Sequence, residues 1–350
     1  MLRKFILTIL LLGTLYIPVA AAEVDLAAIQ PPETAQAYMP ETEDGFLSGL
    51  LDLLRRGLLA ITPDLKSAAV TCAGVLAAAI LCGLFRAGDM GIPAATSNLL
   101  GAAAVGVILL EQTNLLIRQG LETVQSISDY GKLLLPVMSA ALVASGGPTS
   151  ASGLYLGTAL FDSVLTGLIS GILVPMLYVF LALSLAVSAI GNKMLERMRD
   201  FFKNLITWGL RMILTVFFAY MAITGVVSGT ADATAVKVTK MTISSVVPVV
   251  GGILSDAAET VLAGASTVRS TAGVVGLLAV LAITVVPFLQ LAAQYLLLKL
   301  TSALCSVVGN PEQSGLVESF AQAMGLVLAM VGTGCLLHLI SIVCFMKGVG

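Results

Sequence analysis

The stretch TAGVVGLLAVLAITVVPFLQLAAQYLLL, residues 271–298, contains no Asp, Glu, Lys or Arg. At about 1.5 Å of rise per residue, a helix of that length crosses a hydrocarbon layer about 30 Å thick. The segment therefore reads as a membrane-spanning helix, with Pro287 in its second half.

The same pattern recurs on either side. Ser67–Phe85, Ala94–Leu110 (closed by Glu111), Val164–Ile190, Leu205–Gly229 (with Arg211 inside it) and Met324–Phe345 are each long and apolar. With the first stretch they make about six spans. Leu133–Gly147 is shorter, holds Pro136 and ends in Gly146-Gly147-Pro148, so it reads as a weak or re-entrant piece at 133–147. The whole chain agrees: 58% of its residues are hydrophobic, 11% are charged, and its mean hydropathy is +1.01. Soluble domains carry about a quarter charged residues. Too little charge is present here to solvate a full surface, so lipid must cover much of it. The expected fold class is all-α, a polytopic helical membrane protein with an N-terminal signal peptide and interfacial amphipathic helices.

The N-terminus has the parts of a secretory signal. Arg3 and Lys4 precede the apolar run Phe5–Val19, and Ala20-Ala21-Ala22 offers a small-residue cleavage site before Glu23. An uncleaved first anchor is the alternative. Residues 1–22 are thus expected to be the signal peptide, 23–66 an acidic extracytoplasmic segment, and 67–350 the multi-pass domain. The acidic segment holds Glu23, Asp25, Glu33, Glu41, Glu43, Asp44, Asp52 and Asp64 against Arg55, Arg56 and Lys66. A shortage of Lys and Arg is what a translocated segment shows. The most basic loop is Gly191–Asn204, with Lys193, Arg197, Arg199 and Lys203. It belongs in the cytoplasm by the same rule. Counting from an external N-terminal segment puts it there only if 133–147 does not cross fully.

Two segments between spans look amphipathic. Gln112–Lys132 mixes Leu115, Leu116, Ile117, Leu121 and Val124 with Arg118, Glu122 and Asp129. In residues 244–266, Pro248 and Gly251-Gly252 interrupt an apolar run and permit a bend. Leu254, Ala257, Ala258, Val261, Leu262, Ala265 and Val268 then fall on one helix face. Ser255 can cap that helix, and Asp256 and Glu259 suit the positive end of its dipole. It is expected to lie at the interface or against partner helices.

Enzyme chemistry finds no footing. The chain has one histidine, His338, so a two-histidine metal site is excluded, and no G-x-x-x-x-G-K-[ST] loop occurs. No cofactor is expected. The Lys and Arg residues are scattered, which argues against nucleic acid. The five cysteines contain no C-x-x-C and read as small buried residues. Charged or titratable groups within spans are costly in lipid and usually face a partner or water. Arg211 is a candidate for a polar path or an ion pair between subunits, with snorkelling to headgroups as the alternative. Asp162 and Glu111 sit near span ends, where the plainer reading is interfacial placement. His338 reads first as hydrogen-bonded between helices, with a proton relay as the alternative. The spacings Gly153/Gly157, Gly167/Gly171 and Gly225/Gly229 suggest close helix approach.

The motif VVPVVGGILSDAAETVLAGAS (246–266), followed by VRSTAGVVGLLAV (268–280), resembles the central signature of the stage III sporulation protein AE family. The basic loop GNKMLERMRDFFKN (191–204), the signal-like start and the order of spans fit as well. The resemblance runs from about Asp44 to the C-terminus and leaves Glu23–Glu43 unmatched. It implies a non-enzymatic subunit, platform or conduit, of a secretion-like channel complex joining mother cell and forespore. It also implies a place in the mother-cell membrane around the forespore. Expected partners are ring-forming membrane subunits, a separate ATPase and a forespore-side protein. On this view Pro248, Gly251 and Gly252 set a bend, and the helix with Asp256 and Glu259 docks on ring proteins. The competing reading is a stand-alone permease for a small solute or ion.

Overall fold

The computed structural model describes residues 31–39, 45–87, 94–144, 148–223, 271–307 and 311–348. Among these residues all regular structure is helical. In chain order the helices are α1 (Glu33–Gln36), α2 (Gly45–Ala60), α3 (Thr62–Ala87), α4 (Ala94–Ala144), α5 (Pro148–Leu168), α6 (Val174–Ile190), α7 (Lys193–Ile223), α8 (Thr271–Val307) and α9 (Pro311–Gly348). A single wide π turn, Ile169–Leu173, joins α5 to α6 without breaking the rod. Pro175 explains its position. It lacks an N–H, so the Gly171 carbonyl loses its α-helical partner, and the turn widens there.

Six helical stretches are long and apolar enough to cross a membrane: Thr62–Leu84, Thr96–Leu142, Ala151–Ile190, Lys193–Ala222, Gly273–Val307 and Pro311–Met346. They correspond to the six runs read from the sequence, but most are far longer. Two expectations change as a result. Gln112–Lys132 and Leu133–Ala144 are not separate pieces. They continue α4, which spans 51 residues, roughly 75 Å of helix. Pro136 lies on its exposed side, and the helix passes through it without ending. The basic segment is not a loop either: only Gly191 and Asn192 are non-helical. Gly191 ends α6 at φ 70°, a left-handed conformation that glycine adopts without a Cβ penalty. The Asn192 side chain then accepts a hydrogen bond from the Met194 N–H at 2.8 Å, capping α7. Two residues thus reverse the chain, and the basic residues become the first turns of α7. The stretch 244–266, with Pro248, Gly251, Gly252, Asp256 and Glu259, lies outside the described residues, as does the signal-like start.

The long helices alternate in direction. Tyr220 of α7 donates to the Gly153 carbonyl of α5 at 2.7 Å. Gln112 of α4 donates to Gln294 of α8, and Ser302 of α8 donates to the Ser314 carbonyl of α9 at 3.0 Å. α9 is the axis of the bundle: it packs against α4, α5, α6, α7 and α8, and its most apolar window is wholly buried. A helix that is apolar all round suits either a lipid-facing span or the centre of a bundle, and α9 takes the centre. α2 adds an element that composition did not predict. It buries Phe46 and Leu53, packs on α8, and brings Gly57 against Leu289 and Val285. Cys72, Cys305, Cys335 and Cys344 are buried thiols outside any disulfide, as small apolar residues would be.

Candidate functional site

Asp162 and His338 meet in the interior of the bundle. They stand far apart in sequence, on α5 and α9. His338 Nε2 lies 3.5 Å from Asp162 Oδ1, and the two side chains are 3% and 6% exposed. Ser128 of α4 donates to Asp162 Oδ2 at 2.7 Å. The other ring nitrogen, Nδ1, lies 3.0 Å from the Gly334 carbonyl one turn earlier. Three helices therefore join at one polar point. Gly131 makes room for it: a Cβ built there would come within 2.6 Å of His338 Cδ2 and closer still to Nε2. A neighbouring contact, Thr158 to Ser341 at 3.1 Å, ties α5 to α9 again.

Beside the junction is a cleft of about 320 Å³ between α4 and α5, lined by Asp162, Ser128, Lys132, Ser163, Thr166 and Ser170 among others. A second cleft of about 430 Å³ lies across α4 from it, where α3, α4 and α8 meet. Polar side chains dominate its contacts. Gln290 donates to Asp64 at 2.6 Å and accepts from Gln119, and Gln112 reaches Gln294 at 3.3 Å. Glu111 lines this cleft.

Between the two clefts runs the outer face of α4. Glu111, Leu115, Arg118, Glu122, Gln125, Asp129 and Lys132 are all exposed. They recur at alternating intervals of four and three, one continuous helix face. The strip is about 30 Å long, close to the thickness of a bilayer core. Leu99, Leu100 and Val107 lead into it, Leu133 follows it, and Leu156, Leu160 and Val164 of α5 face outward at the level of its far end. Asp129 pairs with Lys132 at 2.8 Å, which lowers the cost of the strip without removing it.

The residues singled out from the sequence thus separate into different settings. Asp162 and His338 are brought together. Glu111 lines the cleft on the far side of α4. Arg211 lies on the outward face of α7, away from both. Of the glycine pairs within the described residues, only Gly157 has a neighbour, the Tyr220 ring, where a Cβ would stand; at Gly153, Gly167 and Gly171 that space is open. Ser128, Gly131 and the glutamines were not foreseen. The glutamines did carry a signal: 112 and 119 are seven apart and 290 and 294 four apart, which puts each pair on one helix face. Another polar contact not foreseen joins Lys299 of α8 to Glu318 of α9.

Adding a methyl group tests the junction's packing. Gly131→Ala is expected to lower stability by about 1–3 kcal/mol, because the imidazole must leave its place. Thermal unfolding in detergent measures this. The control Gly74→Ala, where a Cβ meets nothing within 4 Å, should stabilise slightly through helix propensity. In a His338→Ala background the same glycine substitution should cost clearly less than it does in the unmodified chain, whatever His338→Ala itself costs.

Long apolar helices enclosing a few paired polar groups define a multi-pass membrane protein. The profile of the family Stage III sporulation protein AE matches residues 65–348, most of the chain, and the chain belongs to that family. It is also similar to the Stage III sporulation protein AE of Bacillus subtilis (strain 168), with 22% identity over 205 residues. That alignment covers 58% of this chain and 51% of the relative, so it spans about half the relative's length. No solved structure matches. Membership ties the chain to stage III of sporulation.

Proposed function

We propose that this chain is a membrane subunit of a secretion-like channel complex between mother cell and forespore, acting as platform or conduit without catalysis of its own. Its family supports the stage of development. The observation that carries the rest is the charged outer face of α4. Charged side chains facing lipid are costly and are normally turned toward protein or water. A strip of them beside outward-facing leucines asks for a polar covering, which an assembly supplies and a solitary protein in lipid does not. Basic residues at the start of α7 support a cytoplasmic position for that end by the positive-inside rule. The opposite end, with residues 224–270, then faces the space between the two membranes. There the bend at Pro248, Gly251 and Gly252 and the helix bearing Asp256 and Glu259 would meet ring-forming subunits. The energy source is a separate ATPase, and a forespore-side protein completes the passage.

Deleting the gene in its endospore-forming host tests this. The expected outcome is forespore collapse after engulfment, with a silent late forespore reporter. Normal heat-resistant spores would refute the proposal. They would favour the permease reading, for which the buried Asp162–His338 pair beside a cleft is the supporting observation.

A further inference from the structure

We infer that Asp162 and His338 form a proton-binding site in the membrane interior, reached by water through the cleft between α4 and α5. The inference does not depend on the channel reading. It rests first on the two nitrogens of one ring. Nδ1 lies 3.0 Å from the Gly334 carbonyl. A carbonyl only accepts, so Nδ1 carries a hydrogen. Nε2 is then the nitrogen that faces Asp162, with the carboxylate oxygen Oδ1 at 3.5 Å. Nε2 is buried and makes no hydrogen bond among the described residues, so the carboxylate faces it without a direct bond in place. A bare nitrogen lone pair held against an ionised carboxylate, away from water, is repulsive. The pair avoids this by holding one proton between them. Either Nε2–H faces a carboxylate, or a carboxylic acid faces Nε2. In both forms the junction is neutral, and loss of the shared proton leaves it with one negative charge.

Access is the second observation. Asp162 is 4% exposed as a residue, yet it forms part of the wall of the cleft. Ser163, Thr166 and Ser170 share that wall and fall at i, i+3 and i+7, a hydroxyl-bearing face of α5 and the π turn leading to Asp162. The Thr166 hydroxyl is enclosed and has no hydrogen-bond partner among the described residues. An enclosed hydroxyl of that kind suits a bridging water. Water in the cleft can therefore deliver a proton to the carboxylate and remove it. The charged and titratable groups around the junction are few. On α4, Lys132 is within electrostatic reach of Asp162 and is itself paired with Asp129. Tyr155 on α5 lines the cleft, and Tyr220 on α7 is engaged with the Gly153 carbonyl. A change of charge at the junction would act on α9, the helix about which the others pack.

The chain has one histidine, so the experiment needs no assignment. The full chain is labelled with 15N-histidine, reconstituted in lipid nanodiscs, and followed by NMR. Nδ1 should be protonated, and Nε2 at neutral pH should carry or share a proton. In Asp162→Asn, which keeps the side chain's size, Nε2 should move to the position of a bare nitrogen at the same pH. In Thr166→Val with Ser170→Ala, which keep the pair intact, exchange of the shared proton with D2O should slow at least tenfold. A bare Nε2 in the unmodified chain across about pH 5 to 8, or an Nε2 signal unchanged by Asp162→Asn, would overturn the shared proton. Exchange that is undetectable, or as fast in the doubly substituted chain, would overturn the route.

Discussion

Replacing Asp162 with alanine should destabilise the bundle by about 3–5 kcal/mol, the cost of breaking a buried pair by removing one member. His338 would keep its bond to the Gly334 carbonyl but lose the only polar group facing Nε2. Ser128 would lose its acceptor. His338→Leu should cost a similar amount, since it leaves the Asp162 carboxyl enclosed with a serine hydroxyl as its remaining close partner. The double substitution is the informative member of the set. Replacing both partners with apolar groups removes the unpaired group along with the pair, and such exchanges are often close to neutral. Asp162→Ala with His338→Leu should therefore unfold much nearer to the unmodified chain than either single variant. Thermal unfolding in one detergent, arranged as a double-mutant cycle, gives the coupling directly. Additive losses would show that the two side chains do not act as a pair.

The second large effect should be on development rather than stability. Arg118, Glu122 and Asp129 all face outward on α4, so replacing them with leucine costs the exposed Asp129–Lys132 pair but removes no buried side chain. In lipid the change should favour insertion, because charges near a bilayer's centre cost about 2.5–3.5 kcal/mol each on insertion scales. If that face meets water or protein within an assembly, heat-resistant spores should fall by several orders of magnitude. Protein level and membrane insertion should stay normal. Counting spores beside a quantitative immunoblot of the membrane fraction separates the two effects. Unchanged spore counts would show that the strip has no part in assembly or passage.

The helical architecture was legible because its signal is local. Each apolar run declares itself by length and lack of charge, and the six runs read from the sequence correspond to the six long helices of the structure. Boundaries were harder. Charges at Glu111, Arg118 and Glu122 looked like the end of a span, but they sit on one outer face while Leu116, Ile117 and Val124 on the other face are buried against the bundle. A helix continues as long as one face is packed, whatever the other carries. The basic segment after Gly191 failed as a loop for a related reason: Asn192 caps it and Arg199 pairs with Asp200 at 2.8 Å, so its charges are compatible with helix.

Length, apolar character and charge bias along the chain were enough by themselves to identify a helical membrane protein. They also marked His338 as a group whose presence in lipid needs a reason, but read Asp162 first as an interfacial residue near a span end, whereas it is buried within the span Ala151–Ile190. Only the tertiary structure decided that each is the other's reason. Their pairing depends on the way α4, α5 and α9 cross, on Ser128 at the crossing, and on a glycine at 131 where any larger residue would fill the space. A Cβ at Gly157 would strike the Tyr220 ring, whereas one at Gly153, Gly167 or Gly171 would meet nothing within 4 Å, although their spacing is the same. Local sequence fixes what a helix face can accept. Which face is used depends on contacts between segments remote in sequence, and those form only when the helices pack.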